Sequence, residues 1–176
     1  MEKTYNRSVT AEAVTERYGP TLRSLLDIPF ATLQSENDGL QLPEDMRKTV
    51  RKALIDGAKL RAMEAIRSMR FGSRGYFWII DTSPSMIMHP VLPELEGQTL
   101  SGFARDGRRV RVEGGGAPLF EELVRIALDR PDSGGFAVYE WPDPEDTDRW
   151  VRKLSFVRLF EPWGWVLGAG VHVDRA

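Results

Sequence analysis

Residues 75–81 read Gly75-Tyr76-Phe77-Trp78-Ile79-Ile80-Asp81, and the predicted sheet is built outward from this segment. It is rich in aromatic and β-branched residues, which favour a β-strand. A turn over 82–85 and a returning strand over 86–89, ended by Pro90, complete a predicted hairpin. Because side chains alternate across a strand, one face should carry Tyr76, Trp78 and Ile80, and the other Phe77 and Ile79.

Three further strands are predicted in the second half of the chain. Residues 136–141, 152–160 and 163–173 have strand composition, and Glu161-Pro162 forms the tight connection between the last two. A helix is predicted over 118–130, since Pro118 stands at its start and Pro131 after its end. Residues 91–117 carry six glycines and no sustained period, so we expect a long loop with short irregular pieces.

Two helices are predicted before the first strand. The first should kink or break briefly at Pro20 and Pro29 and end in the polar segment 35–39, and the second should begin at Pro43. Each carries an apolar stripe at helical spacing, which indicates core or helix packing rather than ligand contact. The stripes consist of Val14, Tyr18, Leu22, Leu26 and Phe30, and of Met46, Val50, Leu54, Ala58, Ala62, Ile66 and Met69.

The order of these elements predicts an α+β fold. Sequential strands with short connections tend to be neighbours, so the economical arrangement is a five-stranded antiparallel sheet with helices packed on it. The length of 176 residues fits a single domain. We expect a helical part over 1–70 and a sheet part over 71–176 that includes the helix at 118–130.

Composition and charge exclude several classes of protein. With 41% apolar and 28% charged residues the chain should fold, and its formal charge of −2 lacks the basic excess typical of nucleic-acid binding. The absence of cysteine excludes disulfides, thiolate nucleophiles and Cys-ligated metals. No run reaches the roughly 20 apolar residues of a membrane-spanning helix, and Met1–Asn6 lacks the apolar stretch of a signal peptide. We therefore expect either a cytosolic protein or a part of a larger one.

A series of short motifs runs from the end of the second predicted helix through the predicted sheet. They are Arg70-Phe71-Gly72, Gly75-Tyr76-Phe77-Trp78-Ile79, His89-Pro90, Leu95-Glu96-Gly97, Tyr139-Glu140-Trp141-Pro142, Lys153-Leu154-Ser155-Phe156-Val157 and Pro162-Trp163-Gly164-Trp165. In this order they resemble the single Cache domains, which are extracytoplasmic sensing modules of bacterial chemoreceptors, histidine kinases and related transmembrane signalling proteins. The similarity runs from Arg70 to Asp174.

The resemblance implies a PAS-like sheet, a long N-terminal helix that continues from one membrane-spanning segment, and a C-terminus that leads into a second. It implies a periplasmic or extracellular location and leaves a homodimer open. The implied ligand is a small organic acid, a C2–C4 carboxylate such as acetate, pyruvate, lactate or propionate, with no cofactor. The two histidines and the lack of cysteine argue against a transition-metal site. The sequence departs from the family pattern at Asp143, at Phe156 and in an enlarged 103–117 segment.

Candidate ligand-binding residues are donors interleaved with aromatic rings, because a carboxylate needs hydrogen-bond donors. Alternation puts Tyr76 with Trp78, and Tyr139 with Trp141, on common strand faces, so a concave sheet can present all four to one cavity. The candidates are Tyr76, Trp78, His89, Tyr139, Trp141, Lys153 and Arg70.

Each candidate has a structural alternative. Lys153 can be a solvated strand residue, His89 can satisfy a buried backbone carbonyl, and Arg70 can neutralise the end of the second helix. The four aromatic candidates can be core residues. Trp163 and Trp165 are expected in the core, and His172 is expected in solvent.

Catalytic motifs are missing from the sequence. There is no Gly-x-Ser-x-Gly elbow, no phosphate-binding loop with Lys-Ser/Thr and no His-Glu-x-x-His motif, and Gly114-Gly115-Gly116 lacks the basic residue of a nucleotide cradle. We therefore expect a ligand-binding sensor and not an enzyme. The alternative is a ligand-free domain that dimerises or relays a signal from a partner protein.

Overall fold

The computed structural model describes residues 9–173, so the expectations for Met1–Asn6 and for Asp174 lie outside the described residues. Within this range no helix is long and apolar enough to cross a membrane. The helices are α1 (Ala11–Asp38), α2 (Lys48–Arg67) and α3 (Leu119–Asp129), and the strands are β1 (Arg70–Phe71), β2 (Gly75–Asp81), β3 (Met86–Met88), β4 (Ala104–Arg105), β5 (Arg108–Arg109), β6 (Gly135–Asp143), β7 (Asp146–Phe160) and β8 (Trp165–His172).

The main sheet is antiparallel, as predicted, and the α+β fold is confirmed, but the sheet has six strands because the two-residue β1 adds to the five predicted. Its central strands lie in the order β2, β8, β7, β6, and both β3 and the short β1 pair with β2. The first long strand therefore pairs with the last, with Phe77 opposite Ala169 and Asp81 opposite Trp165. Strands β6 and β7 are longer than predicted because their hairpin turns tightly, with Asp143 paired to Asp146.

Helix α1 is continuous, so of the kinks or short breaks predicted at Pro20 and Pro29 the breaks are wrong. Its N-terminus is capped by Thr10, whose hydroxyl oxygen accepts a hydrogen bond from the Ala13 N–H at 3.1 Å. The predicted stripe packs against β7 and β8, and its residues Leu22 and Leu26 are fully buried. This burial outweighs the cost of about 3 kcal/mol that an interior proline carries.

Helix α2 begins at Lys48, five residues later than predicted. The chain forms a turn at Pro43 instead, because the Pro43 carbonyl accepts hydrogen bonds from the Met46 N–H at 3.1 Å and from Arg51 Nη2 at 2.6 Å. The predicted apolar stripe holds only in the second half of the helix. Ala58, Ala62 and Ile66 are buried, whereas Val50 and Leu54 are 46% and 42% exposed.

The sheet has two differently covered faces, and alternation along β2 divides its side chains between them as predicted. The helix face packs against α1 and α2 and carries Phe77, Ile79, Val138, Leu154, Phe156, Trp165 and Leu167. The chamber face packs against α3 and the 90–118 segment and carries Tyr76, Trp78, Ile80, Tyr139, Trp141 and Val157. Trp163 lies at the edge of the helix face, where its ring contacts those of Phe160 and Trp165.

The predicted long loop, residues 91–117, is more ordered than its composition indicated. It contains a short 3-10 helix, Pro93–Leu95, and the hairpin of β4 and β5. Its end runs along the edge of β6, where Val112 bridges Tyr139 and the Glu113 N–H donates to the Val138 carbonyl at 2.8 Å. The segment is therefore fixed to the sheet and closes the space over the chamber face.

Candidate ligand-binding site

An enclosed chamber lies between the sheet and its cover on the chamber face. Its open volume is about 10 Å³, which is close to the room that one buried water needs. Five of the seven predicted candidates line it, together with three residues that the sequence analysis did not single out. The lining residues are Trp78, Met86, His89, Leu119, Phe120, Tyr139, Trp141 and Lys153.

Lys153 is completely buried, so the alternative of a solvated strand residue is wrong. It lies on β7 directly opposite Tyr139 of β6, and its Nζ donates to Tyr76 Oη at 3.1 Å. The ammonium group also lies 4.5 Å from the centre of the Tyr76 ring. Burial lowers the pKa of Lys153 from 10.5 to about 7, because the charged form loses its hydration.

Two glycines of β8 make room for residues of the chamber face. A Cβ atom at Gly170 would lie 2.2 Å from Lys153 Cε, and one at Gly168 would lie 2.2 Å from Trp78 Cζ2. A larger residue at either position would displace a side chain that lines the chamber. The Gly-Ala-Gly sequence at 168–170 is therefore part of the site's construction.

His89 is held as a neutral imidazole with a defined tautomer. Its Nδ1 accepts hydrogen bonds from the backbone N–H groups of Val91 at 3.3 Å and Leu92 at 2.9 Å, so the ring proton resides on Nε2. The sequence-based alternative was that His89 satisfies a buried backbone carbonyl, whereas its Nδ1 accepts from backbone N–H groups. Burial, followed by the nearby charges of Lys153 and Arg105, holds the pKa of His89 well below 6.5.

Glu96 fixes the backbone beside the imidazole. One carboxylate oxygen accepts from the His89 N–H at 2.9 Å, and the same group forms two hydrogen bonds with Arg67 at the end of α2, at 2.6 and 3.2 Å. Burial would raise the pKa of Glu96, but Arg67 and the His89 N–H outweigh it and lower that pKa. The helix end and the chamber wall are thereby joined through one carboxylate.

The tyrosine and tryptophan candidates supply neutral polar groups. Tyr139 Oη lies 2.7 Å from Ser155 Oγ, and burial raises the pKa of both Tyr76 and Tyr139, which keeps their hydroxyls protonated. The indole Nε1 of Trp141 is buried near the Tyr76 hydroxyl, whose pKa it lowers against the larger effect of burial, but within residues 9–173 no acceptor meets it with good hydrogen-bond geometry. Tyr76 does not line the chamber itself but holds the Lys153 amine that does.

A cluster of three aromatic rings closes the chamber beneath the 90–118 segment. Phe103, Phe120 and Trp141 pack together with ring centres 5.4 to 5.8 Å apart. Phe103 and Phe120 were not predicted as site residues, because a loop residue and a helix residue carry no strand alternation. Ser155 was not predicted either, although its two-residue spacing from Lys153 places it on the same strand face.

Arg70 is not brought to the chamber by the fold. Its side chain is exposed, and its Nη1 donates to the carbonyls of Arg67 at 2.6 Å and Met69 at 2.9 Å. It therefore satisfies the last turn of α2, which is the structural alternative considered from sequence.

His172 is partly buried, so the expectation that solvent surrounds it is wrong. It lies opposite Lys153 on β8, and burial, with Lys153 and Arg74 adding to it, lowers the pKa of His172 to about 3. Asp143 is fully buried between Arg74 and Arg149. Burial would raise the pKa of Asp143, but hydrogen bonds from the Glu145 N–H and from both arginines hold it at about 2.

None of the lining residues is acidic, and the described part of the chain holds no cluster of His, Asp or Glu that fits a metal ion. The chamber is thus a buried pocket whose basic lining groups, among the described residues, are Lys153 and His89. A family model of the Cache domain matches residues 12–176 of this chain. The chain is a Cache domain. It is an extracytoplasmic sensor domain with a ligand-binding role.

Similar proteins agree with this assignment. The methyl-accepting chemotaxis protein McpP of Pseudomonas putida is 40% identical over 119 residues, which are 68% of this chain and 20% of that receptor. A solved structure described as the basis for carboxylic acid recognition by a Cache chemosensory domain is 31% identical, with a TM-score of 0.72 and coverage of 94% of this chain and 100% of that one. A periplasmic sensor domain of a chemotaxis protein is 35% identical, with a TM-score of 0.71 and coverage of 93% and 100%.

Proposed function

We propose that this Cache domain binds a small carboxylate, a C2–C4 acid such as acetate, pyruvate, lactate or propionate, in the chamber beside Lys153. We further propose that it is the sensor of a longer transmembrane chemoreceptor or sensor kinase, anchored on both sides of the domain, and that it performs no catalysis. The chain spans about a fifth of the receptor McpP. The whole protein's output is therefore part of the proposal.

The observation that carries this proposal is a buried amine without a carboxylate partner. Lys153 is 1% exposed and its recorded hydrogen bond is to a neutral phenol. An unpaired buried charge is costly, and a ligand carboxylate supplies the missing counter-charge. The buried Trp141 N–H is a further donor for the carboxylate, and the His89 tautomer leaves its Nε2–H as a second one.

The rest of the lining favours a short ligand with an apolar part. Trp78, Met86, Leu119 and Phe120 present apolar surface beside the donors. A ligand of about four to six heavy atoms can reach roughly 6 to 9 kcal/mol at the best efficiency known for tiny ligands, which corresponds to dissociation constants from tens of micromolar downward. Two or three charge-assisted hydrogen bonds of about 1.5–3 kcal/mol each supply much of this.

The chamber is too small for such a ligand unless its wall moves. Its open volume of about 10 Å³ fits one water, so binding must displace α3 or the 90–118 segment. A signal requires that the ligand favour one conformation over another. Expansion of this wall provides that difference, and helix shifts of about 1–2 Å are typical of such transitions.

The test is a binding screen of acetate, pyruvate, lactate and propionate by calorimetry and thermal unfolding, with acetamide and propionamide as uncharged controls of matching shape. A ligand at 100 times its dissociation constant adds about 2.7 kcal/mol to the free energy of unfolding. For a domain of this size, that raises the melting temperature by roughly 5–10 °C. Equal responses to acids and amides, or no response to any acid, would contradict the proposal.

A second candidate is a ligand-free domain that dimerises or relays a signal from a partner protein. The exposed apolar residues Ile28, Val50, Leu54 and Leu60 on α1 and α2 favour it. Its signature would be a dimer in solution together with no carboxylate response. Sedimentation of the domain alongside the binding screen distinguishes the two candidates, because a sensor that also dimerises still binds acids.

A further inference from the structure

Among residues 9–173, the groups that face the Lys153 amine are neutral or basic. Strand β2 presents Tyr76, the segment after β3 presents His89, β6 presents Tyr139, and β8 presents His172. All four lack a negative charge at neutral pH, since burial raises the pKa of both tyrosines. The chamber therefore gives a protonated amine at this position no internal counter-ion.

The nearby carboxylates are committed elsewhere. Asp143 is fully buried between Arg74 and Arg149, and Glu96 is bonded to Arg67 and to the His89 N–H. Glu113 and Glu140 are paired with Arg152 and Arg108 on the outer surface. Glu121 of α3, next to the lining residue Phe120, accepts from the Gly102 N–H at 2.6 Å. None of these carboxylates lines the chamber, so a charge on Lys153 must be balanced by the ligand itself.

We propose that carboxylate binding by this domain is coupled to uptake of one proton by Lys153, so that the domain reports acidity and acid concentration together. This inference rests on the proposed function. In the coupled step an uncharged amine, a proton from solvent and a carboxylate anion combine into an ammonium–carboxylate pair, and no other bond is made or broken. The lowered pKa of Lys153, about 7, places the coupling near neutral pH.

The coupling predicts a definite pH profile for the dissociation constant. Below about pH 6.5 the free amine already carries its proton, so the affinity is nearly constant until the ligand itself is protonated. Above about pH 7.5 each further pH unit weakens binding about tenfold, because a proton must be recruited for every ligand bound. Proton uptake per acetate bound rises from near zero at about pH 6 to near one at about pH 8.5.

The experiment is calorimetric titration of acetate into the domain in pairs of buffers that differ in ionisation enthalpy, at about pH 6, 7 and 8.5. A buffer-dependent enthalpy at the highest pH, absent at the lowest, supports the inference. Binding without proton uptake at about pH 8.5 overturns it and leaves the proposed function intact. No acetate, pyruvate, lactate or propionate binding at any pH overturns the proposed function itself.

Two variants identify the titrating group. Lys153→Arg keeps the positive charge at all these pH values, so any binding that it retains should be independent of pH. His89→Gln removes the imidazole and should retain the tenfold slope above pH 7.5 at a weaker overall affinity. If Lys153→Arg does not fold, the wild-type buffer comparison still decides the inference. Loss of the slope in His89→Gln would assign the proton to His89 and overturn it.

Discussion

The helix face and the chamber face are formed by the same strands, but they carry different kinds of buried side chain. On the helix face, the buried side chains of β2, β7 and β8 are apolar and pack against α1 and α2. On the chamber face, the same strands present Tyr76, Lys153 and Ser155. The adjacent residues Lys153 and Leu154 belong to opposite faces, and both are fully buried.

This contrast separates stability from binding within one sheet. Apolar burial on the helix face stabilises the fold at about 25 cal/mol for each Å² removed from water. A buried amine and a buried imidazole on the chamber face cost stability, because their charged forms lose hydration. The chamber face is thus a place where the fold gives up stability for ligand recognition.

The largest effect is expected from Lys153→Met. It should abolish acetate binding and stabilise the domain by up to roughly 5 kcal/mol, which corresponds to the lowering of the Lys153 pKa from 10.5 to about 7. Below pH 7 the lysine is charged in both states, so the folded state bears the full cost. The cost disappears as pH rises through 10.5. Chemical unfolding of both proteins at about pH 6 and about pH 10 measures this difference.

The pH comparison also serves as the control for that variant. The gain in the free energy of unfolding should be largest near pH 6 and should fall to about 1 kcal/mol near pH 10, because the wild-type amine is then neutral in the folded state but still largely charged in the unfolded state. A gain that is the same at both pH values would mean that methionine improves packing rather than removing a buried charge. A loss of stability at pH 6 would contradict the account.

Leu154→Ala should give the opposite result at the neighbouring position. The truncation leaves a cavity on the helix face and should cost about 2–5 kcal/mol of unfolding free energy. The dissociation constant for acetate should stay within about twofold, since Leu154 does not line the chamber. Denaturant unfolding and calorimetry on the same sample check both statements. A tenfold loss of affinity in a still-folded variant would show that the two faces are not independent.

Tyr139→Phe tests one neutral donor of the chamber. Removal of the hydroxyl should weaken acetate binding about 10- to 100-fold, the range for a hydrogen bond to a charged group. Unfolding free energy should fall by only about 1 kcal/mol, because Ser155 loses its partner. Tyr18→Phe on the helix side is the matched control, and its affinity should equal that of the wild type. Equal affinities in both variants would remove Tyr139 from the site.

The smallest effect is expected in the exposed half of α2. Leu54 is 42% exposed, so Leu54→Gln should change the free energy of unfolding by less than about 0.5 kcal/mol. Ile66→Ala in the buried half of the same helix should cost about 2–5 kcal/mol. Thermal unfolding of the two variants gives the comparison. A costly Leu54→Gln together with loss of a dimer would favour the relay candidate.

Sequence reasoning succeeded where local alternation decides the outcome. The faces of β2 and the pairing of Tyr139 with Trp141 follow from two-residue spacing, which the fold preserves. It failed where tertiary contacts decide, as at the start of α2, where Arg51 and Met46 hold a turn at Pro43. The burial of Lys153 and His172 depends on strand pairing, since β7 and β8 place the two residues opposite each other and the position of β8 beside β2 cannot be read from the local sequence.

The most direct test of the account is an NMR pH titration of the Lys153 side chain, followed through its Cε and Nζ resonances with and without saturating acetate. The account predicts a midpoint near pH 7 in the free domain, because burial lowers this pKa from 10.5. With acetate bound, the amine should remain charged beyond pH 8. A midpoint near 10.5 that acetate leaves unchanged would contradict both the buried amine and its role as the ligand's counter-charge.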